Sequence, residues 1–273
     1  MKSVRMQCEK EAITARSRRF RAGVLSGLAL FIALFIFLTS SPAFGLNYHL
    51  IASYEIGVQE PSGLAYDPVR GLLLVVSDEG GFFALNKRGE VVESHPSPEG
   101  DLEGIAFDPA RKLIYIAEER ERRIFLLNRS GKVLRSFRVD LAGHNGPDNK
   151  GIEGLTLDTK RDHLFLVKER SPFFVMELDR EGKPLRTFKV EGISNLSGIH
   201  YLERTGNLLL LSRGSQKVLE VTREGKLVGE PISIGFPNAE GIALDEEGYL
   251  YLTLDGNNIL PDRLLIFAPK EPR

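Results

Sequence analysis

The sequence predicts a five-bladed β-propeller built from four-stranded antiparallel blades. Three observations predict it. A Gly-Ile/Leu strand start recurs five times, a turn marker recurs in step with it, and strand-like runs fill each period. Repeats of this length with four short strands each are the pattern of propeller blades. The strand starts are Ser62-Gly63-Leu64, Glu103-Gly104-Ile105, Glu153-Gly154-Leu155, Ser197-Gly198-Ile199 and Glu240-Gly241-Ile242, with glycines 41, 50, 44 and 43 residues apart. The turn marker is Asn86–Gly89, Asn128–Gly131, Asp179–Gly182 and Thr222–Gly225. Asn or Asp leading to Gly is tight-turn chemistry, because Gly supplies φ > 0 at little steric cost.

The elements follow in chain order. Residues 1–21 carry Lys2, Arg5, Lys10, Arg16, Arg18, Arg19 and Arg21 against Glu9 and Glu11 only. Residues 22–38 contain no charge. As a helix they would span about 25 Å, close to a hydrocarbon core. Basic residues before the stretch hold that end in the cytoplasm, so the rest of the chain is expected to cross the membrane. The long leader favours an uncleaved anchor, while Ala43-Phe44-Gly45 offers small residues for signal cleavage near Gly45. Residues 1–45 are therefore read as leader plus anchor or signal peptide, with a hydrophobic helix, and 46–273 as the propeller.

The second repeat displays the strands clearly: Gly104–Asp108, Lys112–Ala117, Arg123–Asn128 and Val133–Val139. The fifth repeat has only three, at Gly241–Asp245, Tyr249–Leu254 and Arg263–Ala268. Its missing strand is expected from Tyr48–Ile56, closing the ring with both ends of the body in one blade. Six blades with one degenerate copy is the alternative.

Composition excludes several classes. Hydrophobic residues make up 42% and charged residues 27%, enough apolar material for a core, so a disordered chain is excluded. The single cysteine, Cys8, allows neither an intramolecular disulfide nor a cysteine zinc site. Beyond the leader the chain is mildly acidic, which argues against nucleic acid as a partner. No G-x-S-x-G elbow, Walker loop, dinucleotide fingerprint or H-E-x-x-H is present.

Propeller geometry places the loops entering first strands on the same face as those joining second and third strands. On that face Glu103, Glu153 and Glu240 share one repeat position at the channel mouth. Asp78, Glu119, Glu169 and Asp255 stand at second-strand ends. Carboxylates aimed at one axis repel and raise each other's pKa unless a cation is present. Calcium, which takes six to eight oxygen ligands, is the expected ion, with magnesium second. The alternative is a metal-free polar channel, with Lys168 and Arg213 at the same rim neutralising the charge. Two longer loops on this face offer ligand-facing side chains: Asp140, His144, Asn145 and Asp148 in one, Asn257 and Asn258 in the other. His144 is the best-placed acid/base. His200 is expected either to face the channel or to pack between blades. The opposite face consists of short Lys/Arg-bearing hairpins, read as solvated turns with a structural role alone.

The Glu-Gly-Ile/Leu starts, Ala117-Glu118-Glu119-Arg120, Val167-Lys168-Glu169-Arg170 and Ala239–Ala243 resemble the SdiA-regulated (YjiK-like) bacterial propeller family over residues 46–268. The resemblance implies a bacterial envelope protein with an N-terminal membrane segment and a calcium site in the channel. The expected location is thus the inner membrane, single-pass with the propeller outside the cytoplasm, or the periplasm or exterior after cleavage. Function is expected to be a binding module for a small molecule or envelope protein at the loop-rich face. A calcium-dependent hydrolase of lactones or phosphate esters, by analogy with other propellers, and a purely structural protein are the competing expectations.

Overall fold

The computed structural model describes residues 47–141, 151–169 and 173–270. The hydrophobic helix expected before the propeller lies outside them. Among the described residues no helix is long and apolar enough to cross a membrane. They form twenty strands in five four-stranded sheets. Strand β1 (Tyr48–Glu55) opens the described chain. Blade one is β2 (Pro61–Asp67), β3 (Leu72–Ser77), β4 (Phe82–Leu85) and β5 (Val91–His95). Blade two is β6 (Leu102–Asp108), β7 (Leu113–Glu118), β8 (Arg123–Asn128) and β9 (Val133–Arg138). Blade three is β10 (Ile152–Asp158), β11 (His163–Lys168), β12 (Phe174–Leu178) and β13 (Pro184–Phe188). Blade four is β14 (Gly198–Tyr201), β15 (Leu208–Ser212), β16 (Lys217–Val221) and β17 (Leu227–Ser233). Blade five joins β18 (Ala239–Leu244), β19 (Leu250–Leu254) and β20 (Arg263–Pro269) to β1, with Tyr48 opposite Pro269 and Glu55 opposite Arg263. The ring closes through its two ends as the repeat demanded, and the six-bladed alternative is excluded.

The apolar runs have a simple destination. Among the described residues there are five hydrophobic clusters, one in each interface between neighbouring blades. Ala65, Leu74 and Phe82 of blade one meet Ile105 and Ile114 of blade two. The seam beside the closing strand is filled the same way, by Leu64, Leu73 and Val75 against Ala243, Tyr251 and Leu264. Stability therefore comes from neighbour interfaces rather than from one central core.

The repeated glycines explain how the inner strands meet. A methyl group on Gly104 would lie 2.8 Å from the Leu155 amide nitrogen of the next blade. On Gly198 it would lie 2.7 Å from the Glu240 carbonyl, and on Gly241 2.6 Å from the Ser62 carbonyl. Gly63 and Gly154 are confined in the same way by the backbones of the following blades. None of these five has positive φ, so what they supply is space. The turn glycines are the opposite case: Gly89, Gly131, Gly182 and Gly225 have φ of 80°, 80°, 89° and 83°.

The basic hairpins do more than the sequence suggested. The residue after each turn's Asn, Asp or Thr reaches back to the Asp ending the previous blade's inner strand. Arg129 bonds Asp67 at 2.6 Å, Arg180 bonds Asp108 at 2.6 Å, Arg223 bonds Asp158 at 2.9 Å and Lys87 bonds Asp245 at 2.7 Å. These carboxylates are buried. Burial alone would push the Asp108 and Asp158 carboxyls up, but the arginines and a turn amide bring both below the usual range. The hairpins are interblade latches, not solvated turns. Among the described residues the fifth latch is missing on both sides at once. Blade four has Leu202 just after its inner strand where the others have Asp, and blade five has no hairpin between β20 and β1 because those are the two ends of the described body.

Two outcomes test this. Gly104→Ala forces a methyl against backbone and should cost about 1–3 kcal/mol in denaturant unfolding. Arg129→Met leaves a buried carboxylate unpaired and should cost about 3 kcal/mol. Adding Asp67→Asn, which keeps the turn acceptor and removes the charge, should recover at least half of that loss.

Candidate metal centre at the acidic mouth

A bulge positions each glutamate of the repeat. In blade two Leu102 faces Glu118 and Gly104 faces Ala117, so Glu103 has no ladder partner. Blade three repeats this, with the register shifting between Ile152 and Gly154 around Glu153. In blade five it shifts between Ala239 and Ile242, around Glu240 and Gly241. Bulges bend a strand and re-aim the extra side chain. Here they turn the glutamates toward the mouth while the glycine beside each one packs on the next blade.

The second-strand loops are tied to the same face. The amide of Asp78 donates to the Glu60 carbonyl, that of Glu119 to Asp101, and that of Asp255 to Asn238, at 3.2, 2.9 and 3.0 Å. The predicted carboxylates thus converge, but not uniformly. On one side Arg213 donates to Glu169 at 2.7 Å and to Glu240 in a shorter contact. Lys168 is fully buried at the end of β11. The expectation that basic residues offset part of the charge holds on this side. On the other side carboxylates gather: oxygens of Asp78, Asp101 and Glu103 lie within 4.8 Å of one another, and so do those of Glu60, Asp78 and Glu79. Arg120 reaches Asp101 at 2.9 Å from the rim.

The electrostatics record the crowding. Burial pushes Glu103 well above the usual carboxylate range, and Asp101, Glu240, Glu119 and Asp78 add to it. Burial and then Glu103, Glu119 and Glu169 do the same to Glu153. Asp78 is pushed up to about 8 by burial and by Glu60. Glu240 rises to about 7 by burial, against the pull of Arg213. Burial also raises Glu119, although its Oε1 accepts the Gly151 amide at 3.0 Å. The Asp78 Oδ1 is buried without a hydrogen-bond partner. Such an oxygen is satisfied by a proton or a cation. Inside the ring, Glu103, Glu153, Ser197 and Glu240 line an axial cavity of about 10 Å³. That is space for one water or one ion. The carboxylate groups present are hard oxygen donors of the kind that hold a metal ion.

Asp255 stands apart from the triads. Its Oδ1 accepts the Asn257 amide at 2.7 Å, and burial raises its pKa. Asn257 and Asn258 sit in left-handed turn positions with φ of 50° and 55°. The Asn258 amide donates to Glu60 at 2.7 Å, which ties this loop to the acidic cluster. Asp140 is exposed just past β9. His144, Asn145 and Asp148 lie outside the described residues. Asp101, Glu60 and Glu79 were not picked out from the sequence. Asp101 and Glu60 stand two residues before the repeat position, in loops already assigned to this face, and that placement was the available signal.

Five radial blades around a carboxylate-lined mouth make this a five-bladed β-propeller with an acidic channel. A solved structure titled "Crystal structure of Nidogen/Laminin Complex" shares the fold with a TM-score of 0.52 and 16% identity, covering 72% of this chain and 73% of that one. At that identity the likeness concerns fold alone. The family model for SdiA-regulated proteins matches residues 47–258, and the chain belongs to that family.

The raised carboxyls fix the sign of a pH effect. An acid with a raised folded pKa makes the folded state bind more protons than the unfolded chain, so stability falls as pH rises from the unfolded value through the folded one. His200 works the other way: burial lowers it to about 4, and its contribution is complete above its ordinary value of 6.5. From pH 6.5 to 8 the mouth carboxyls Glu240 and Asp78 should therefore dominate. In chelator, the melting temperature should fall by a few degrees across that window. Glu240→Gln combined with Asp78→Asn should flatten the profile.

Proposed function

We propose that the chain is a binding module of the bacterial cell envelope, with calcium held in the acidic mouth and the loop-rich face presented to a small molecule or an envelope protein. The observation that carries the reading is the Asp78, Asp101 and Glu103 group beside an ion-sized cavity, with a buried oxygen of Asp78 lacking any donor. Asp78, Asp101 and Glu103 would hold the ion, with Glu60 able to complete the set from the neighbouring loop. Calcium suits flexible carboxylate and carbonyl oxygens better than magnesium, which demands tight octahedral geometry. The envelope assignment rests on the basic leader followed by an uncharged apolar stretch at residues 22–38. A hydrolase would need room for an ester beside the ion. Among the described residues the axial space is about 10 Å³, which favours a bound ion over a bound substrate.

A thermal melt of the intact protein in detergent decides the point. After chelation, calcium at about 100 times its dissociation constant should raise the midpoint by roughly 5–10 °C. Asp78→Asn with Glu103→Gln should be at least as stable as the wild type in chelator and should show no rise with calcium. Binding must also tighten from pH 6 to pH 8, because the ion displaces protons from carboxyls that burial has raised. A wild-type midpoint indifferent to calcium at both pH values would remove the metal from the proposal.

A further inference from the structure

The other end of the channel holds a larger feature that the acidic mouth does not use. Two residues after each ring glycine the repeat places Ala65, Ala106, Thr156, His200 and Ala243. Four are small, so the channel widens past the glycines. A cavity of about 640 Å³ opens there, toward the short hairpins. Ligand pockets span about 300–1,000 Å³. Leu64, Ile105, Leu155 and Ile199 line both this cavity and the narrow axial one. They and the glycine ring form its floor, and only about 10 Å³ of space lies beyond. The cavity is blind at that end.

Its chemistry differs from the mouth. Tyr66, Phe107, Leu157 and Tyr201 continue the apolar and aromatic wall. The charged side chains Glu203, Arg204, Glu246 and Glu247 are exposed, while Asp245 is already held by Lys87 and by the Tyr251 hydroxyl at 2.9 Å. Among the described residues no buried, unpaired charge lines the cavity. Buried or half-buried polar groups do, among them the Tyr66 hydroxyl, which has no hydrogen-bond partner, and the side chains of His200 and Thr156. His200 is half-buried and makes no hydrogen bond or ion pair among the described residues. It stays neutral at ordinary pH because burial holds its pKa near 4, so one ring nitrogen donates and the other accepts. Thr156 Oγ1 accepts the Tyr201 amide at 3.0 Å and keeps its O–H to donate.

We propose that this blind cavity is a second ligand site, which takes an uncharged small molecule with an apolar ring body and one polar group bonded by His200 and Thr156. The walls reject an ionic ligand, since nothing inside would pair with it. The single histidine breaks the fivefold repeat and fixes one orientation. The site is independent of the ion at the opposite mouth.

Benzophenone is a suitable probe: an uncharged diaryl ketone whose carbonyl accepts a hydrogen bond. On irradiation it inserts into a nearby C–H bond and adds its whole mass to the peptide. The intact protein in detergent should label saturably on peptides containing β2, β6, β10 and β14. Excess diphenyl sulfone, an uncharged diaryl acceptor with no aliphatic C–H to quench the excited ketone, should compete the label away. Ala106→Trp, which fills the cavity, should abolish it, and Glu103→Gln should leave it unchanged. His200→Leu keeps the apolar wall and should raise the half-saturating concentration about fivefold. Labelling that rises linearly with concentration, that falls on the outer strands, or that diphenyl sulfone does not displace would overturn the site, whether or not the tryptophan variant folds.

Discussion

Everything in this molecule depends on five inner strands approaching one another without side chains between them. The ring glycines let backbone meet backbone, as at Gly241 and the Ser62 carbonyl. A β-carbon anywhere on that ring would push two blades apart and open every seam beyond it. In four of the five blades the residue before the glycine is thrown out of the ladder by a bulge. That residue is Glu in three blades. Packing and electrostatics at the mouth are thus two results of one local backbone choice. Burial and mutual repulsion raise the glutamates' pKa values, so the crowding at the mouth is recorded in their titration.

The glycine ring also separates the channel into chambers of opposite character. On one side the lining is carboxylate and crowded; on the other it is aliphatic and aromatic, with one imidazole. The latches belong to the second side, since the Asp that ends the inner strand in four blades points toward the hairpins. They tie four of the five seams at the place where the channel is widest.

The ring architecture was legible because glycine and turn chemistry repeat in phase. Strand β8 falls where the sequence placed it, at Arg123–Asn128, and the closing strand came from counting three runs in the last repeat. The latches were not legible. Arg129 and Asp67 are 62 residues apart, and a basic residue in a polar turn looks solvated until the neighbouring blade is in place. Asp101 and Glu60 escaped because they stand two residues before the glutamate position, at neither that position nor a second-strand end; backbone bonds from the second-strand loops bring them to the same spot. The large cavity escaped for a different reason. It is made by the smallness of Ala65 and Ala106 in its wall, and a missing volume leaves no motif.

The closing blade has a consequence for how the chain is made. Strand β1 is synthesised first but pairs with β20, the last strand, so Tyr48 waits for Pro269. During synthesis an unpaired edge strand and one uncovered interface therefore travel together on a growing arc. Blades one to four can form as each emerges, because their strands are local in sequence. The final seam is a long-range pairing that carries the loop-closure entropy of the whole body. Folding of this protein should be slow and all-or-none at its last step, and a factor that shields strand edges before then would raise its yield without touching its final stability.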